Sequence, residues 1–169
     1  MEREDVVNWF VVKTNSRAEK RVSERIQKIG IPVYLPLVES LKQWSDRKKK
    51  VQNPLISSTL FVKCYSSDLP KLYEIQGLHC ILKHLNKPAV VHDYEIENLK
   101  ILLKESDVLE PIDNVNFFSG EPVKVIRGPL QGLIATSVED NRKNRLIVQI
   151  ESLGKHFLVH INKSFVRKL

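Results

Sequence analysis

The rhythm of apolar residues changes once along this chain, near residue 119, and that change limits the possible folds more than any other feature. Before it, β-branched runs alternate with stretches of helical period. After it, only short strand-like runs remain, separated by turns. Residues 7–13, VNWFVVK, read as a buried strand. Ser16 and Glu19 then stand at capping-box spacing, and Val22, Ile26 and Ile29 recur at helical spacing after Ala18. Gly30 suits the helix stop and Pro32 prevents continuation. Residues 31–38 read as a second strand, with Pro36 marking an edge or an irregular finish. Residues 40–54 read as a basic loop or hairpin, and 55–65 contain a third strand. Asp68 is placed to cap a short helix with Pro70 in its first turn; Gly77 ends it, and 79–85 read as a fourth strand. Asp93 caps a further helix with Ile96, Leu99 and Leu103 as its packing stripe.

The order β-α-β-β-α-β-α is a ferredoxin-like, split βαβ pattern with one extra helix, closing near residue 106. Residues 107–118 lack clear periodicity and read as a linker. From 119 onward, five short strands separated by GPLQG, DNRKN and SLGK predict a small five-stranded β-barrel. The expected class is therefore α+β, with domains 1–106 and 119–169.

Hydrophobic residues make up 42% and charged residues 28% of the 169 positions, which excludes a disordered tail. No stretch approaches the ~18 apolar residues of a membrane span. The acidic start MEREDVVNWF lacks a signal-peptide pattern, so a cytoplasmic protein without a membrane partner is expected. Cys64 and Cys80 lie in apolar runs outside any CxxC pair and read as buried free thiols. The net charge of +7 is unevenly spread: +6 over residues 1–63, −4 over 64–118 and +5 over 119–169. Two basic lobes point towards nucleic acid. No GxGxxG, P-loop or GxSxG motif is present, so no enzyme and no cofactor are expected. His156 and His160 could share a strand face but lack companion ligands, so no metal is expected either.

Four segments carry a family resemblance. WFVVKTNSRAEKRV (Trp9–Val22), PLISSTLFV (Pro54–Val62) and KPAVVHDYEI (Lys87–Ile96) are similar to the NGN domain of NusG-like transcription factors. VKVIRGPLQGL (Val123–Leu133) resembles the signature of their SH3-like KOW barrel. QWSDRKKKV (Gln43–Val51) looks like the specialised UpxY-like paralogues, which antiterminate surface-polysaccharide operons. The sequence departs from the family at Ile56–Thr59, where an F-P-G-Y segment is replaced by I-S-S-T.

The resemblance implies a non-enzymatic elongation/antitermination factor that suppresses pausing or termination. Its N-terminal domain would grip the RNA polymerase clamp helices through an apolar surface, matched here by Phe10, Leu55, Ile56, Phe61 and Ile81. Leu130, Leu153 and Lys155 match the KOW edge that meets a small-subunit ribosomal protein or Rho. Arg17, Lys20, Arg21, Arg47, Lys48, Lys49 and Lys50 could approach phosphates of non-template or upstream DNA, with Trp44 stacking on a base. The other reading is a ribosome-associated or free RNA-binding protein, though the third strand offers Ser57, Ser58 and Thr59 where an RNA-recognition sheet wants aromatics. A monomer is expected.

Overall fold

The computed structural model describes residues 6–43, 48–104, 110–112, 120–140, 143–150, 155–161 and 163–169. The chain divides into two compact units, Met1–His92 and Asp93–Leu169.

The first unit runs β1 (Asn8–Thr14), α1 (Glu19–Lys28), β2 (Val33–Tyr34), β3 (Leu37–Gln43), β4 (Lys48–Pro54), β5 (Thr59–Cys64), α2 (Leu69–Leu72), β6 (Leu78–Ile81), β7 (Lys83–His84), β8 (Lys87–Pro88) and β9 (Val90–Val91). Its main sheet has the order β2-β5-β1-β6, with β9 also paired to β1. The ladders are antiparallel, and β1 lies between β5 and β6. This is the strand order of a split βαβ unit.

Strand alternation sends Phe10 and Val12 of β1, and Leu60, Val62 and Cys64 of β5, into one core with Val22 and Ile26 of α1. Leu69, Leu72 and Ile81 complete it. Burying each large apolar side chain contributes about 1.5–3 kcal/mol. Ile29, expected on the packing stripe, is 52% exposed because it is the C-cap, just past the last helical turn. Gly30 follows at φ +82 and donates its N–H to the Gln27 carbonyl at 2.9 Å, a left-handed stop that glycine adopts without a Cβ penalty.

Two predicted caps are replaced by other contacts. The Ser16–Glu19 box does not form: α1 starts after Ala18 and no side chain caps it. The Glu19 carboxylate instead accepts the Ser58 N–H at 2.8 Å. Asp68 is the N-cap of α2 without a capping hydrogen bond, and it pairs with Lys71 at 2.7 Å. The basic 40–54 segment forms the antiparallel ribbon β3–β4, with Lys42 opposite Lys49 in register. The predicted fourth strand ends early at Ile81, and the chain then makes the tight β7–β8 hairpin. Leu85 and Asn86 form its loop at φ +47 and +62. Positive φ at both positions is the signature of a type I′ turn. For leucine that conformation costs about 1–3 kcal/mol.

The second unit contains α3 (Asp93–Lys104), β10 (Glu110–Ile112), β11 (Pro122–Val125), β12 (Ile134–Asp140), β13 (Lys143–Ile150), β14 (Lys155–His160) and β15 (Val166–Lys168). The strands make one six-stranded sheet in the order β10-β14-β13-β12-β11-β15. All five expected strands are present. The sixth, β10, comes from the segment read as a linker, and its Pro111 is tolerated because β10 is an edge strand. The expected five-stranded barrel is not what is found: β10 and β15 are the two ends of an open path among the described residues.

Val123, Val125, Leu133, Ala135, Ile147, Phe157 and Val159 are buried in this unit. Helix α3 buries Ile96, Leu99 and Leu102, whereas the expected Leu103 is half-buried. Its buried Asn98 bonds both backbone groups of Ile134: Nδ2 donates to the carbonyl at 2.8 Å, and Oδ1 accepts the N–H at 3.0 Å. Gly120 passes so close to β12 that a Cβ there would sit 2.0 Å from the Ser137 carbonyl oxygen.

Candidate functional site

The turn Leu55–Ser58, between β4 and β5, is pinned along its length. Leu55 donates its N–H to the Pro36 carbonyl at 2.8 Å. Ser58 sits at φ +52, donating to Glu19 and accepting the Thr14 N–H at 3.0 Å. Glu19 is itself only 6% exposed. The turn is therefore tied to the end of β1 and the start of α1, where Arg17, Lys20 and Arg21 are all exposed.

Beside it runs the β1/β5 face opposite the α1 core. Register places Trp9 across from Lys63, Val11 across from Phe61, and Lys13 across from Thr59. Lys63 Nζ lies 5.6 Å from the Trp9 ring centre, a cation–π contact. Tyr34 stacks on Phe61 with ring centres 6.2 Å apart. Lys13 Nζ donates to the Thr59 hydroxyl at 2.8 Å, and that hydroxyl donates to the Ser57 carbonyl at 2.9 Å. Val11, Thr59 and Phe61 are fully buried.

The apolar residues expected to face a partner fall into two groups. Phe10 and Ile81 are core residues, 1% and 4% exposed; alternation turns both towards α1, so they present no docking surface here. Ile56 is buried at 7% and Phe61 at 0%, leaving Leu55 as the half-exposed member. Thr59 is spent on the Lys13 and Ser57 hydrogen bonds.

Among the expected nucleic-acid contacts, Arg17, Lys20 and Arg21 share the start of α1. Lys48 and Lys49 open β4. Lys50 is exposed, with Glu39 3.9 Å away, a surface pair of little energetic weight. Trp44 and Arg47 lie outside the described residues. In the second unit Leu130 is buried at 4%, because the Gly128–Leu133 turn folds back on β11 through Gly132 N–H to the Val125 carbonyl at 2.9 Å. It is not an exposed edge residue. Lys155 opens β14, and Leu153 lies outside the described residues.

Several features escape sequence reading. Glu19 at capping spacing conceals a tertiary link, and nothing local marks Ser58 as left-handed. The pair Leu85-Asn86 lacks the glycine that usually announces a two-residue hairpin. Among the described residues, no three His, Cys, Asp or Glu side chains are grouped to hold a metal ion, and no helix is long and apolar enough to cross a membrane.

The family model described as "NusG: Transcription termination factor nusG" matches residues 7–100, which span the pinned turn and the whole first sheet. Relatives match across nearly the full chain. The transcription termination/antitermination protein NusG of Rickettsia felis is 31% identical over 97% of this chain and 91% of that protein. The NusG of Helicobacter pylori strain 26695 is 24% identical over 97% of this chain and 99% of that protein. A solved structure described as "Domain interaction in Thermotoga maritima NusG" aligns over 97% of this chain and 98% of that one, at 21% identity and a TM-score of 0.49. The chain belongs to the NusG family of transcription termination/antitermination factors.

Proposed function

We propose that this chain is a non-enzymatic elongation and antitermination factor that binds RNA polymerase through its N-terminal domain, residues 1–106, at the clamp helices. The observation that supports this most is the pinned Leu55–Ser58 turn inside the family-matched region. Three hydrogen bonds fix a turn whose half-exposed Leu55 is backed by buried Ile56. A preorganised apolar anchor of this kind loses little entropy on docking. Phe61 supports it from within the β1/β5 face.

Arg17, Lys20 and Arg21 beside the turn, and the basic β3–β4 ribbon with Lys48, Lys49 and Lys50, meet phosphates of non-template or upstream DNA. Bound across the clamp, the factor favours the closed, elongating polymerase by differential binding and so suppresses pausing. Residues 119–169 act as the KOW domain, with β10 of the preceding segment paired into their sheet, and recruit a small-subunit ribosomal protein or Rho. The basic Gln43–Val51 segment supports an UpxY-like specialisation for surface-polysaccharide operons. The factor acts as a cytoplasmic monomer. Single-round transcription by core polymerase on a template with a mapped pause tests this: the protein shortens the pause, and an unchanged pause lifetime at saturating protein counts against it.

A further inference from the structure

Strand β14 is paired with β13 along all six of its residues, from Lys155 opposite Ile150 to His160 opposite Arg145. Its other side is covered less completely. Ile112, Pro111 and Glu110 of β10 stand opposite His156, Phe157 and Leu158, and the register leaves Lys155, Val159 and His160 beyond the ends of β10. At three residues, β10 is about half an ordinary strand.

Its composition suits pairing as poorly as its length does. Pro111, at its centre, has no N–H to donate. A proline fits where its nitrogen points away from the ladder, so the bonded pairs are Glu110 with Leu158 and Ile112 with His156. Both pairs are mismatched: an acidic residue stands against an apolar one, and an apolar residue against a histidine. Cross-strand neighbours of matched character stabilise a ladder, and exchanging these two residue types would match both pairs. Strand β14 itself has Lys155, His156 and His160 and no Asp or Glu.

We propose that β10 is a displaceable latch on the β14 edge, and that the strand which displaces it is an extended segment of a partner protein, apolar opposite Leu158 and acidic opposite His156. Such a segment adds to the sheet through main-chain hydrogen bonds and is selected by its alternate side chains. With an N–H at every residue and the whole of β14 to pair with, it forms a longer ladder than β10 does. Because β10 competes from the same chain at high effective concentration, only a poorly matched strand there leaves the edge open to a partner. With no latch at all, the edge would offer a bare row of backbone donors and acceptors to any extended chain. A nucleic acid is the weaker fit, because a strand edge presents as many acceptors as donors, whereas a phosphate backbone takes donors alone. The latch rests on the reading of residues 119–169 as the partner-recruiting domain, and adds what guards the recruiting edge.

The test uses the full chain in three forms. These are wild type, Ile112→Pro, which removes an N–H that β10 needs, and Glu110→Val/Pro111→Thr/Ile112→Glu, which matches the strand to β14. The probe is a labelled peptide copying residues 107–118 with those same three changes, read by fluorescence anisotropy. Ile112→Pro is expected to bind it at least about tenfold tighter than wild type, and the matched variant at least about tenfold weaker, since affinity scales with the fraction of chains whose edge is open. Amide exchange at His156 and Leu158 follows the same order, fastest in Ile112→Pro and slowest in the matched variant. Exchange at the Ile134 amide, which Asn98 holds, stays the same in all three and reports an intact fold. The proposal is overturned if the three forms bind the peptide equally, or if exchange at His156 and Leu158 does not differ among them. Capture of purified small ribosomal subunits and of Rho, measured alongside, separates the failures. Ordered peptide binding with capture of neither keeps the latch and sinks the recruiting reading; equal peptide binding with equal capture by all three forms sinks the latch alone.

Discussion

Removing the Glu19 carboxylate leaves the Ser58 N–H without its acceptor at a turn that must also hold a left-handed serine. Glu19→Ala is expected to destabilise the protein by about 1–3 kcal/mol, the cost of an unmet polar group. Glu19→Gln, which keeps a carbonyl oxygen in place, should lose much less. Denaturant unfolding of the two variants measures the difference, and equal losses would mean that Glu19 acts through packing alone. The cysteines give a second residue-scale prediction. Burial, with the Asp68 carboxylate adding to it, pushes the Cys64 thiol from its ordinary 9.0 up to about 11. The fold thus favours the neutral thiol. Its share of stability is intact below pH 9 and falls as pH rises towards about 11. At pH 8 a thiol reagent should modify half-buried Cys80 first and reach Cys64 only on unfolding. Neither the Glu19 link nor the turn at Ser58 was legible from the chain alone, because a capping signal and a tertiary hydrogen bond use the same carboxylate.

At the scale of elements, what could be read was what periodicity controls. Phe10, Val12, Val22 and Ile26 fall where strand and helix spacing place them, and Gly30 ends its helix. The β3–β4 ribbon is visible as a polar, basic stretch between apolar runs. The β7–β8 hairpin is not, since its loop holds leucine where glycine would have signalled a turn. Strand β10 is missed for a related reason: Pro111 argues against a strand unless that strand lies at an edge, and edge position is a tertiary fact. Helix α3 carries a sharper consequence. Asn98 satisfies the Ile134 N–H and carbonyl as a neighbouring strand would. Asn98→Ala is expected to cost about 1–3 kcal/mol. It should also speed hydrogen exchange at the Ile134 amide; unchanged exchange there would contradict the α3–β12 link.

For the whole molecule, charge and attachment make separate predictions. If the β3–β4 ribbon meets phosphates, Lys48→Ala/Lys49→Ala lowers the slope of log affinity against log salt for duplex DNA by about 0.9 for each phosphate no longer neutralised. A slope unchanged from wild type would leave those lysines as a solvated surface. Family membership was legible in four short segments spread over the chain, but which apolar residues reach the surface was not, because alternation alone cannot say which sheet face lies under a helix. The structure answers for Phe10 and Ile81 by placing them in the core, and it leaves Leu55 half-exposed. Attachment to polymerase is tested most directly by capture of the core enzyme on the full chain, with Leu55→Glu alongside and its fold checked by circular dichroism. Wild type should retain polymerase, and the folded Leu55→Glu variant should lose at least about tenfold in affinity, as expected when a buried anchor is replaced by a charge. Equal retention by both proteins would contradict the proposed surface, and no retention by wild type would contradict polymerase binding itself.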